Sequence, residues 1–141
     1  MFASYQGRST VLHAVAFVFV ALSFIFPVVL GTSALLPTWL SGIVSILVAL
    51  AILVDAAHKA FAPSERPARG LRGLSAVAAL TALIGWICWL FIFNNFDAAG
   101  TTMYKIGTFT LGTSAVLNIF CTAMAFMDWR AGRVTPAKNS L

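Results

Sequence analysis

The sequence predicts an all-α integral membrane protein, built as a four-helix bundle of two transmembrane hairpins with both termini cytoplasmic. Of its 141 residues, 60% are hydrophobic and only 9% are charged, whereas a soluble domain carries about 25% charged residues. The apolar residues fall into four runs separated by polar stretches. Basic residues gather at the ends of these runs, a placement that is typical of membrane proteins.

Four spans are predicted, at residues 11–31, 39–57, 74–93 and 106–127. Each has about 20 residues, enough for an α-helix to cross a hydrocarbon core of about 30 Å. The first run is longer than the apolar part of a secretory signal, which has about 7–15 residues, and Arg8 is the only charge before it. This run therefore predicts a span rather than a cleaved leader, and residues 1–141 form a single membrane domain.

Charge placement predicts the orientation of the spans. A basic inner loop at 58–73 and a basic tail at 128–141 lie on the same side as the N-terminus, and on the other side Lys105 is offset by Asp97. Because cytoplasmic loops carry an excess of Lys and Arg, we expect the basic side to be cytoplasmic. The basic residues on that side are Arg8, Lys59, Arg66, Arg69, Arg72, Arg130, Arg133 and Lys138.

Anionic lipid headgroups are the predicted partner of this basic side, at about 1 kcal/mol for each well-placed base. The net charge of +5 would also suit nucleic acid, but the basic residues form no patch with interleaved aromatic residues, so nucleic acid is not expected. The candidate headgroup ligands are Lys59, Arg66, Arg69, Arg72, Arg130 and Arg133.

Small and polar residues inside the spans predict where the helices meet. The hydrophobic effect contributes little between helices in lipid, so close packing and buried hydrogen bonds mark the contacts. Asn118 lies near the middle of the fourth span, and its amide should face another helix or another subunit. The candidate packing residues are Ser41, Ser45, Gly85, Gly107, Gly112 and Asn118.

Ionisable residues are absent from the middle of every predicted span, which argues against proton- or ion-coupled transport. Asp55 and Asp128 lie near the inner boundary, where Lys59 and Arg130 are candidate partners four and two residues later. They are interpreted as interfacial anchors. No G-x-S-x-G, H-E-x-x-H or P-loop motif occurs, so the chain is not expected to be an enzyme.

No cofactor or metal is expected. Cys88 and Cys121 lie inside apolar runs and are interpreted as small buried hydrophobic residues. A haem group is the alternative, because His13 and His58 begin and end the first hairpin on the same side and are candidate axial ligands. Both are predicted to lie close to water, whereas membrane cytochromes bury the iron more deeply.

The four runs and the charge pattern resemble those of the MARVEL-type four-span proteins over the whole chain. This resemblance is topological and includes no diagnostic motif. It implies a protein that organises membrane domains or vesicle traffic without catalytic residues. We therefore expect a scaffold that self-associates laterally as a homo-oligomer. The alternatives are an accessory subunit of a larger electron-transfer or transport complex, and a homo-oligomeric channel lined by the Thr, Ser and Asn residues of the fourth span.

Overall fold

The computed structural model describes residues 4–60, 69–94 and 102–134, and these residues form four long helices with no strand among them. A 3-10 turn at Gly31–Ala34 joins the first helix directly to the second. The helices are α1 at Tyr5–Leu30, α2 at Leu35–Ala60, α3 at Arg69–Asn94 and α4 at Thr102–Val134.

Each helix is long and apolar enough to cross a membrane. The number and order of the predicted spans are therefore confirmed, and the chain has the make-up of a multi-pass membrane protein. The candidate spans are Tyr5–Leu30, Leu36–His58, Leu71–Ile92 and Thr102–Ala131.

The helices extend beyond the apolar runs that predicted them. Ser4 caps α1, because its Oγ accepts a hydrogen bond from the Gly7 backbone N–H at 3.1 Å. The next turns are polar in sequence, but Ser9 and Thr10 are buried against the other helices. A hydropathy window does not register such polar residues on a packed face. For this reason α1 begins six residues before the predicted start at residue 11.

The chain reverses direction between α1 and α2 within the four residues Gly31–Ala34. Gly31 has φ +58°, a conformation that residues with a side chain rarely adopt. Its N–H donates to the carbonyl of Pro27 and closes the end of α1. Pro37 lies in the first turn of α2. Backbone N–H groups in a first turn have no acceptor within the helix, so the lack of an N–H in proline breaks no helical hydrogen bond there.

The helices pack as an antiparallel ring, in which α1 contacts α2 and α4, and α3 contacts the same two helices. Arg8, near the start of α1, meets Asp55, near the end of α2. Gly42, near the start of α2, meets Trp86 in the second half of α3. We call the end with the start of α1 and the end of α4 the terminal end, and the opposite end the hairpin end.

Two hydrophobic clusters fill the ring. The terminal-end cluster consists of Tyr5, Leu71, Ala78, Cys121 and Ala125. The cluster nearer the hairpin end is built mostly from small side chains around one indole and consists of Ala16, Val20, Ala49, Ile52, Ala79, Ala82, Trp86 and Leu111.

Candidate functional site

A histidine links three helices inside the bundle. His13 of α1 is 0% exposed. Its Nδ1 lies 2.6 Å from Oδ1 of Asn118 on α4, and its Nε2 lies 2.9 Å from Oγ of Ser75 on α3. Ser75 and Asn118 are also fully buried. We call His13, Ser75 and Asn118 the His13 network, and it is the most polar feature of the described interior.

The chemistry of the partners fixes the direction of each hydrogen bond. The Asn118 carbonyl oxygen can only accept, so His13 must donate from Nδ1. A neutral imidazole then accepts at Nε2, and the Ser75 hydroxyl donates to it. Cys121 lies one turn after Asn118 on α4 and is fully buried beside this network. Each ring nitrogen of His13 is thus satisfied within the chain.

Helical spacing explains why His13 points inward. The buried residues of α1 recur at three- and four-residue steps, as expected for a single packed stripe. His13 occupies the centre of that stripe, which consists of Tyr5, Ser9, Thr10, His13, Ala16 and Val20 together with Gly7.

A second polar link joins α1 to α2 at the terminal end. The Arg8 guanidinium donates from Nε to Asp55 Oδ2 and from NH2 to Oδ1, both at 3.1 Å. The two side chains are 28% and 18% exposed. The sequence predicted Lys59 as the partner of Asp55, but the Lys59 side chain lies outside the described residues. The described partner belongs to the neighbouring helix.

Five of the six predicted packing residues are buried or closely packed in the bundle, Asn118 among them through its bond to His13. Ser41 and Ser45 are buried on α2. A Cβ on Gly85 would lie 2.7 Å from Leu111 Cγ, so α3 and α4 approach closely there. A Cβ on Gly107 would lie 3.1 Å from the Cβ of Cys88.

Gly112 differs from its prediction, because a Cβ there would meet nothing within 4 Å. A close approach of the first hairpin to the second lies at Gly42, a residue that the sequence analysis passed over. A Cβ on Gly42 would lie 2.8 Å from two carbons of the Trp86 ring. Its four-residue spacing from Thr38 is the small-residue signal that could have found it.

Several polar side chains of the fourth helix have hydrogen-bond partners within the chain. Asn118 is held by His13. The hydroxyls of Thr110, Thr113 and Ser114 donate to backbone carbonyls of their own helix at 2.7–2.9 Å. Thr108 Oγ1 has no hydrogen-bond partner among the described residues, and the channel alternative stays a prediction.

The positions of the two histidines do not match those expected of two axial haem ligands. His58 is exposed at the end of α2, whereas His13 is fully buried, with both ring nitrogens in hydrogen bonds. A bis-histidine haem needs a free nitrogen from each ligand on facing helices. The prediction that His13 lies close to water is wrong, because the polar residues around it face the bundle interior.

Part of the predicted headgroup set falls within the described side chains. Arg72 is half-buried and Arg130 is exposed, both at the terminal end, while Lys105 is exposed at the hairpin end. Arg66 lies outside the described residues, as do the side chains of Lys59, Arg69 and Arg133.

Three features of this interior were not predicted from the sequence: the depth of His13, its partner Ser75 and the pairing of Arg8 with Asp55. The polar residues at the start of α1 gave no signal for them, because helical periodicity is recognised by recurring apolar residues. Comparison with protein-family models, curated proteins and solved structures gives no match for the chain.

Proposed function

We propose that this chain organises membranes by associating laterally with copies of itself, with both termini on the cytoplasmic face. The resemblance to MARVEL-type four-span proteins belongs to this proposal, and catalysis does not. The observation that supports self-association most directly is the end of α1. No residue of α1 after Val20 is buried.

The last turns of α1 are exposed at every residue except Phe26, which is partly buried. We call residues 24–30 the α1 tip. Its exposed side chains include Val28 at 84% and Val29 at 70%. Successive residues of a helix point about 100° apart, and Phe24, Ile25 and Leu30 are exposed as well. Exposed side chains therefore surround most of the tip, and a neighbouring molecule can contact it from several directions. The first half of the same helix is packed against the bundle instead.

Association at this tip would rest on packing rather than on the hydrophobic effect, because lipid tails are as apolar as the tip itself. A second copy could place its own tip alongside and make van der Waals contacts along about two turns. The short hairpin turn at Gly31 leaves no long loop to obstruct this approach.

Cysteine cross-linking tests this surface. In a background of Cys88→Ala with Cys121→Ser, Val28→Cys should form disulfide-linked dimers in liposomes of native lipid. Leu47→Cys on α2 and Phe109→Cys on α4 are the matched controls, because these residues are 60% and 74% exposed on other helices. We expect cross-linking at residue 28 to persist when extra lipid dilutes the protein, while it declines at both controls.

Equal decline at all three positions would contradict association through the tip. Native mass spectrometry of protein released from its own membrane in nanodiscs gives the stoichiometry independently. A homo-oligomer supports the scaffold, whereas unlike subunits would make the chain an accessory subunit of a larger complex. A monomer alone would overturn both.

The basic terminal end is proposed to bind anionic lipid headgroups and so to fix the orientation. Arg72 and Arg130 both lie at this end, where the attraction of an anionic leaflet acts within a Debye length of the surface.

A further inference from the structure

We infer that the His13 network is a proton-sensitive latch, which holds α1 against α3 and α4 when His13 is neutral and releases it when His13 is protonated. The geometry places one titratable ring at the junction of three helices. Nδ1 bonds Asn118 of α4 at 2.6 Å and Nε2 bonds Ser75 of α3 at 2.9 Å. This inference does not depend on self-association.

Protonation changes the network at Nε2, the only ring nitrogen that accepts. The proton added there makes both nitrogens donors. The Ser75 hydroxyl must then turn its hydrogen away and accept. Cys121 cannot accept well in exchange, since a thiol is a weak acceptor. The network contains no carboxylate, so a buried imidazolium would have no counter-ion, and an unpaired buried charge strongly favours exposure to water.

The surrounding charges do not supply the missing anion. Asp55 on α2 is already held by Arg8 through two hydrogen bonds. On α3 the charged residue one turn before Ser75 is Arg72, which is itself a cation and supplies no anion. The titratable and charged side chains nearest to the network along the described helices are Tyr5 and Arg8 on α1, Asp55 and His58 on α2, Arg72 on α3, and Cys121 and Asp128 on α4.

The first helix is suited to release because it packs along part of its length only. Its buried residues end at Val20, so moving α1 does not require separation of a full-length interface. The polar links from α1 to the other helices include those of His13 and the Arg8–Asp55 pair. The ion pair joins α1 to α2, so the start of α1 stays attached to α2 when it parts from α3 and α4 at the terminal end.

The direction of the pH effect follows from proton binding. In the released form water reaches the ring, and a histidine there takes up its proton near the ordinary pKa of about 6.5. The latched form excludes that proton. Because the released form binds more protons, the latch weakens as the pH falls through about 6.5 and is restored above it.

Cys121 reports on the latch, because it is 0% exposed and lies beside Ser75. In a Cys88→Ala, His58→Gln background in nanodiscs, the rate of labelling by a membrane-permeant thiol reagent is measured at about pH 7.5 and about pH 5. Each rate is divided by that of the same protein carrying His13→Gln, whose amide donates and accepts but does not titrate. This ratio cancels the pH dependence of the thiol itself. We expect the ratio to rise about tenfold in acid.

Asn118→Asp is a second test, because it keeps the titrating His13 and adds a carboxylate beside it. A carboxylate at this position would face Nδ1 and supply the missing counter-ion, so acid should no longer increase labelling. An unchanged ratio in the protein with His13 would overturn the latch, as would the same acid response in Asn118→Asp. If His13→Gln loses its helical circular dichroism, the comparison at each pH between the background protein and its Asn118→Asp variant decides alone.

Discussion

The two ends of the bundle are held together by different chemistry. At the terminal end, directional polar contacts join the helices through the His13 network and the Arg8–Asp55 pair. Toward the hairpin end, the contacts are steric, with Gly42 against Trp86 and Gly85 against Leu111. The terminal end is therefore sensitive to the loss of a hydrogen-bonding group, and the hairpin end to the gain of a methyl group.

The difference matters because the two kinds of contact respond to different signals. Close packing of small residues is insensitive to pH and salt, since it depends on van der Waals contact. Polar contacts inside lipid depend on the protonation and pairing of their members. A bundle built this way can remain associated at the hairpin end of α3 and α4 while its terminal end rearranges.

The largest effect should come from adding a methyl group at the hairpin end. Gly42→Ala would place a Cβ 2.8 Å from two carbons of the Trp86 ring, and a buried ring has little freedom to move. We expect a loss of about 1–3 kcal/mol in the free energy of unfolding. Denaturation in mixed micelles, followed by circular dichroism, measures this.

Gly112→Ala is the matched control for that change. It adds the same methyl group to a helix, but in open space, and removing a helical glycine should stabilise by up to about 1 kcal/mol. Equal destabilisation by both changes would contradict the steric account. A smaller side chain at 86, as in Trp86→Leu, should reduce the cost of Gly42→Ala, because it removes the ring carbons.

A smaller effect is expected from removing the acceptor at the terminal end. Asn118→Leu leaves the His13 Nδ1–H without a partner in the interior. Hydrogen bonds between membrane helices contribute about 0.6 kcal/mol on average and up to about 1.7 kcal/mol, so we expect a loss within that range in the same micelle titration. His13→Leu in the Asn118→Leu protein should add only the loss of the bond from Ser75 to His13 Nε2, since the bond between His13 and Asn118 is already gone. Additive losses would show that they act separately.

The sequence was sufficient to predict the four helices and the side of the bundle on which the basic residues lie, because hydropathy and charge placement determine both. It also indicated Gly85 and Gly107, whose small size permits close approach. It could not predict the pairing of His13 with Ser75, which are 62 residues apart. Such contacts depend on the rotation of each helix about its axis, and apolar sequence on both faces of a span leaves that rotation undetermined.

The same reason explains why the burial of His13 was not predicted and why Gly112 makes no close contact within the described chain. A hydropathy run locates the apolar core of a helix, whereas α1 begins at Tyr5 with polar residues on its packed face. Gly112 belongs to a stretch of small and polar residues of the kind that often lies at a helix contact, but a Cβ there would meet nothing within 4 Å. A packed face and an open one are distinguished by the neighbouring helix rather than by the residue.

The smallest loss of stability is expected at the Arg8–Asp55 pair, and it distinguishes this pair from the His13 network at the same end. Asp55→Asn keeps the size of the side chain and removes the charge that holds Arg8. Because the pair is partly exposed, at 28% and 18%, water screens it, and we expect a loss of about 0.5–1 kcal/mol. Added salt should shrink the difference between this variant and the unaltered protein, since screening weakens an exposed pair. The Asn118→Leu loss should not change with salt, because His13 is sealed from solvent. A salt-dependent loss at Asn118 would mean that water reaches the His13 network in the closed bundle.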